Sequence, residues 1–162
     1  MTAALITGTL LGLGGLGYSF VLGFMVSVPA DVGRHATFAF FFTLVTLLAH
    51  SMTMFYLIGK GKAIREAVTD AGLPEELYRE VARLRRPVFS VGSAAMGITM
   101  ATAILGGAVD TDVLPVGVHS VSALAAIGSN FFYFRVQVAA LMLASKTVTK
   151  VNQLLVPGDA DF

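Results

Sequence analysis

The sequence predicts an all-α, polytopic membrane protein, a four-transmembrane-helix bundle with helical cytoplasmic extensions. Four apolar stretches are each long enough to cross a hydrocarbon core, which takes about 20 helical residues at roughly 1.5 Å of rise each. Charged residues make up only 13% of the chain against 56% hydrophobic ones, whereas soluble domains carry about a quarter charged. The basic residues, moreover, crowd into two of the segments outside those stretches. Strands do not fit, because the apolar runs are continuous rather than alternating and four of them cannot close a barrel. The spans fall at about 3-28, 37-59, 87-109 and 113-134, within a single membrane domain, 1-162, that shows no internal repeat.

The first span begins at Ala3 with no Lys or Arg before it. It is longer than the roughly 7–15-residue core of a signal peptide, so a retained helix is expected. Gly8, Gly12, Gly15 and Ser19 trace one small-residue face, which lets another helix approach closely, inside the bundle or between subunits. Gly12, Gly14 and Gly17 also spell the dinucleotide fingerprint. That motif works only after a strand and at an exposed helix N-terminus, and here it is enclosed in an apolar helix. Helix packing is the role expected of Gly8, Gly12 and Gly15.

Lys60, Lys62, Arg65, Arg79, Arg83, Arg85 and Arg86 lie between the second and third spans, and Arg135, Lys146 and Lys150 follow the fourth. Ten of the eleven basic residues are therefore on one side, with Arg34 opposite, beside Asp31, Asp110 and Asp112. The positive-inside rule makes the basic side cytoplasmic, with both termini there and the chain multi-pass in the cell inner (plasma) membrane.

The segment 60-86 is expected as a cytoplasmic helical hairpin. Gly72 is its stop, Pro74 suits the first turn of the next helix, and Glu75 and Glu76 suit its positive dipole end. Ala63, Ala67, Leu77, Val81 and Leu84 give this hairpin an apolar face. Gly92, Gly97 and the pair Gly106-Gly107 offer close contacts on the third helix. The fourth helix is expected to continue as a cytoplasmic extension, 135-155, on Ala139, Leu143, Val151, Leu154 and Leu155, and to stop at Pro157-Gly158-Asp159-Ala160-Asp161.

Composition excludes several classes of function. The chain has no Cys, so disulfides, thiolate metal sites, Fe–S clusters and thiol nucleophiles are ruled out. A net charge of +1 lacks the basic footprint of a nucleic-acid binder. All ten carboxylates lie outside the spans, whereas proton relays and ion-coupled carriers place one near mid-membrane. Ser51 beside His50 is a weak nucleophile–base pair, because adjacent residues on a helix point about 100° apart. No catalytic residue is assigned.

His50 is the ionisable side chain set deep in a span, where a polar group needs a partner or a task. Met54 follows one turn on, and on the antiparallel third helix Met96 lies at nearly the same depth, with Met100 one turn further out. Imidazole with thioether can hold Cu(I), or haem b iron axially, so His50 and Met96 are candidate cofactor ligands and His50, Met54, Met96 and Met100 a candidate metal set. The plainer account makes the methionines core filler and His50 an interhelical hydrogen-bonding group. A bis-His haem needs two ligands at equal depth, and His119 falls about 10 Å further out than His50. His35 and His119 both belong near the outer interface, where either could titrate or meet a lipid headgroup.

Asn130, Tyr133, Arg135 and Gln137 gather at the inner end of the fourth span. Tyr133 and Arg135 are expected to anchor the helix at the lipid interface, and the group as a whole could instead line a lipid or quinone pocket. The run Ala49–Val68 resembles small four-span bacterial membrane proteins, a resemblance that implies no activity. Met96-x-x-x-Met100 is similar to the Met pair of eukaryotic high-affinity copper transporters, which have three spans and Met-rich outer tails that this chain lacks. Three functions follow as expectations. The first is a structural or accessory subunit that self-associates or joins other membrane subunits, as in a respiratory complex, with membrane lipids around it. The second is a haem b or Cu(I) module at His50, and the third a lipid- or quinone-binding subunit.

Overall fold

A computed structural model of the chain describes residues 1–155; the expected stop at Pro157 to Asp161 lies outside them. Four helices account for nearly all of the described chain: α1 (Thr2–Phe24), α2 (Pro29–Asp70), α3 (Glu76–Asp110) and α4 (Val116–Leu155). Each is long and apolar enough to cross a membrane. α2 and α4 touch each other and both flanking helices, while α1 and α3 sit at opposite corners without contact. The far end of the bundle carries the α1–α2 and α3–α4 connections. The near end carries the N-terminus, the α2–α3 connection and the end of α4.

Three ends depart from the apolar boundaries, each for a local reason. α1 stops at Phe24 rather than near 28, and α2 begins at Pro29 rather than near 37. Proline at the first helical position sets the backbone angle, and Asp31 Oδ2 accepts from the backbone N–H of Ser27 (3.2 Å) and Val28 (3.3 Å). Hydropathy registers none of this, because the first two turns of α2 include Asp31, Gly33, Arg34 and His35. The start of α4 moves from 113 to Val116, one residue past Pro115.

Two connections close alike. After α2, Gly72 takes φ +62°, with Leu73 N–H to Val68 O at 2.9 Å and Gly72 N–H to Thr69 O at 3.4 Å. These are the paired reverse bonds of a Schellman stop, and Leu73 packs back toward Val68. After α3, Asp112 takes the same left-handed place at φ 56°, with Val113 N–H to Ala108 O at 2.9 Å and Asp112 N–H to Val109 O at 3.0 Å.

The near-end extensions pack as a small apolar cluster of Ile64, Val68, Leu77, Val81 and Val151. The α2 and α4 faces differ from the expected ones. Ile64 and Val68 are buried where Ala63 is exposed, and Ala140, Leu141 and Ala144 are buried where Ala139, Leu154 and Leu155 are exposed. The faces slip because three helices meet here instead of two, so each helix turns toward a shared axis. Pro87 stands inside α3 just after its residues in this cluster, Leu77 and Val81, where it removes one hydrogen bond of the helix.

α1 and α2 meet through the small-residue face. A Cβ at Gly12 would stand 2.6 Å from Thr46 Oγ1 and 3.1 Å from Thr46 Cα, one at Gly15 would collide with the Phe42 ring, and one at Gly8 would touch Ala49. On α3, Gly92 and Gly106 make close contacts, but Gly97 and Gly107 face open space. Buried hydroxyls fold back on their own helices, as in Thr9 to Leu5 O (3.1 Å), Thr53 to Ala49 O (3.0 Å) and Thr99 to Ala95 O (2.8 Å). In apolar surroundings that is the nearest acceptor. Thr102 Oγ1 also reaches Ser122 O on α4 at 3.0 Å, tying α3 to α4.

Candidate functional site

The interior holds two polar regions, one above the other. At mid-height α4 turns Asn130, Tyr133 and Gln137 inward, a spacing of three and four residues that keeps them on one helix face. Asn130 Nδ2 donates to Thr99 Oγ1 on α3 (2.8 Å) and to Ala126 O (2.8 Å). Gln137 Nε2 donates to Thr53 Oγ1 on α2 (2.8 Å) and, at 3.4 Å, to Leu5 O on α1. The Tyr133 ring stacks on His50 with centroids 4.0 Å apart and planes inclined by 27°. Both ring nitrogens of His50, Tyr133 OH, Asn130 Oδ1 and Gln137 Oε1 are buried with no hydrogen-bond partner among the described residues.

Tyr133 is therefore not the interfacial anchor expected of it. It is fully buried in the centre of the bundle, while Arg135, two residues on, faces outward. His50 is likewise fully buried. Met54 lies beside Tyr133 across Gly92, where a Cβ would stand 2.5 Å from Met54 Cε and 2.7 Å from Tyr133 Cε2. The Met96 sulfur lies 3.9 Å from Ser51 Oγ. Met100 is 51% exposed on the outer face of α3, so it cannot share a site with buried His50. The four residues of the candidate metal set are thus not drawn together around one point. Toward the near end the polar group is closed by Leu57, Val88, Ala140 and Leu141.

Toward the far end the bundle opens into a cavity of about 890 Å3. All four helices line it, with Leu16, Phe20, Phe41, Leu44 and Ile127 among its apolar walls. Thr99 and Ala126, the partners of Asn130, belong to both regions, so the polar group begins at the cavity floor. His35 from α2 and His119 from α4 both line the cavity as an edge-on pair, with ring centroids 6.2 Å apart and planes inclined by 79°. His35 Nδ1 lies 3.0 Å from the Ser19 carbonyl oxygen. A carbonyl can only accept, so Nδ1 carries a proton and donates it, and the tautomer that fits this contact has its lone pair on Nε2. His119 Nδ1 is buried with no partner among the described residues.

Compared with protein-family models, curated proteins and solved structures, the chain gives no match.

The arrangement of the cavity must therefore speak for itself. Each imidazole rests on a glycine of the helix preceding its own. Gly23 of α1 has His35 Cε1 3.2 Å from where a Cβ would be, and Gly106 of α3 has His119 Cε1 at 3.1 Å. The two hairpins thus supply matching halves, a histidine on the second helix and a glycine on the first. A signal for this pairing lies in the sequence. Gly33-x-His35 and Gly117-x-His119 each follow a proline, Pro29 and Pro115, that stands at or just before the start of its helix. The repeat places the two rings within about two turns of their helix starts and hence at similar depth.

Proposed function

We propose that this chain is a multi-pass membrane subunit that holds a lipid-soluble cofactor or ligand in the far half of its bundle. The observation that carries the reading is the cavity of about 890 Å3, within the range of about 300–1,000 Å3 over which proteins enclose small molecules, apolar in its walls with few convergent polar groups. The positive-inside rule puts the far end on the outer face and both termini in the cytoplasm, so the ligand would sit in the outer half of the inner membrane. This reading retains the lipid- or quinone-binding expectation and moves the redox alternative from His50 to the cavity.

The test is purification from membranes in mild detergent, followed by mass spectrometry of an organic extract. Wild-type protein is expected to carry a near-stoichiometric lipophilic molecule. Ala123→Phe, which places a ring in the cavity from α4, should reduce it at least tenfold while the chain remains folded. Identical extracts from the two proteins, or no retained molecule in either, would overturn the proposal.

A further inference from the structure

We infer that the ligand is an iron tetrapyrrole of the haem b type, with His35 and His119 as its two trans axial ligands; the inference rests on the cavity reading above. Two metal–nitrogen bonds of about 2.0 Å, with half an imidazole beyond each, put the ring centres of trans histidines about 6 Å apart. The rings here stand 6.2 Å apart, on helices that face each other diagonally across the bundle. Ligating imidazoles characteristically give their second N–H to a carbonyl, which fixes the tautomer and aims the lone pair. His35 does this through Nδ1 and the Ser19 carbonyl.

A bare ion fits the same pair poorly. No third His, Cys, Asp or Glu joins them in a metal-holding group among the described residues. Zinc and copper sites ordinarily take three or four protein ligands. Two opposed imidazoles suit instead a metal that arrives with its four equatorial positions already filled by a flat, apolar ring. The cavity supplies the apolar room around the pair, and Phe20 and Phe41 supply aromatic wall. Gly23 and Gly106 let each imidazole lie close against the neighbouring helix, so neither ring is pushed across the space that the macrocycle would occupy. With both axial positions taken by protein, the iron has none left for a substrate.

The experiment is titration of the detergent-purified protein with ferric protohaem, read by absorption and electron paramagnetic resonance. The expected result is one haem per chain with a six-coordinate low-spin spectrum. Its resonance should be strongly anisotropic, as imidazole planes near perpendicular require. His35→Ala and His119→Ala should each abolish the six-coordinate species. His119→Gly should regain it when free imidazole is added, which separates a lost ligand from a lost fold. His50→Ala should still give the low-spin spectrum at saturating haem. No spectral change on adding protohaem, or loss of the species in His50→Ala with its survival in His35→Ala, would overturn the inference. If the organic extract yields a quinone or lipid and protohaem does not bind, the haem inference fails and the cavity reading stands. An empty extract together with no haem binding removes both.

Discussion

The two polar regions of this bundle treat their histidines in opposite ways. Around His50 every direction is filled: Tyr133 stacks on the ring, Thr99 and Thr53 hold Asn130 and Gln137, and Leu57, Val88 and Leu141 seal the lower side. His35 and His119 instead stand as an edge-on pair of rings in the lining of a cavity. Depth in an apolar segment makes a histidine conspicuous, and on that ground His50 is the first candidate. Capacity to bind depends on space and an aimed lone pair, and on that ground the outer pair is stronger. The mid-height group instead resembles a packed polar core, which joins α4 to all three other helices through named hydrogen bonds and the ring stack.

Three substitutions test whether the two regions differ as described. The largest effect is expected at the closed one. Gly92→Leu would drive a side chain into Met54 and Tyr133, and such overpacking should destabilise the protein by about 3 kcal/mol, read as a lowered thermal midpoint in detergent. A wild-type midpoint would mean that the core is not closed. On the same helix at the open region, Gly106→Ala meets only the edge of the His119 imidazole, at 3.1 Å. It should leave the thermal midpoint nearly unchanged and weaken ligand binding about tenfold, equivalent to about 1.4 kcal/mol. A falling midpoint with unchanged binding would reverse the assignment of the two sites. Smallest is Tyr133→Phe, which keeps the stack on His50 and deletes a buried hydroxyl that has no hydrogen-bond partner among the described residues. Stability should hold or rise by up to about 1 kcal/mol. A loss of that size would show that ordered water satisfies the hydroxyl and that the core is wet.

The four helices were legible because length and continuous hydrophobicity record them directly. The rotation of each helix about its axis was not. In lipid the outward face is as apolar as the inward one, so the amphipathic stripe that orients a helix in a soluble protein is missing. Leu48, Phe55 and Ile104 are exposed, whereas Thr46, Thr53 and Thr99 are buried, the reverse of what hydropathy suggests. Tyr133 was misplaced for this reason, although its spacing with Asn130 and Gln137 already marked one inward face. Small residues proved better guides, since Gly8, Gly12 and Gly15 do lie between α1 and α2. Reading depth put His35 and His119 near the same end. That they form a pair depends on rotations that only packing decides. Met100 shows the converse, one turn from the depth of His50 but rotated to the outer face of α3.

The stack of His50 on Tyr133 has a mechanical consequence. It joins the two longest helices, α2 and α4, at a point near their middles. Fifteen residues of α2 separate it from His35 and fourteen from Ile64; fourteen residues of α4 separate it from His119 and eighteen from Val151. At 1.5 Å per residue these are arms of about 21 to 27 Å on either side of one fulcrum. A change of one degree in the angle between the helices moves each far tip by about 0.4 Å, close to the tolerance of about 0.5 Å within which a preorganised site must be held. The molecule is in this respect a pair of tongs: the cluster at the near end grips the handles, two flat rings form the pivot, and the gap between two imidazoles is the setting of the jaws.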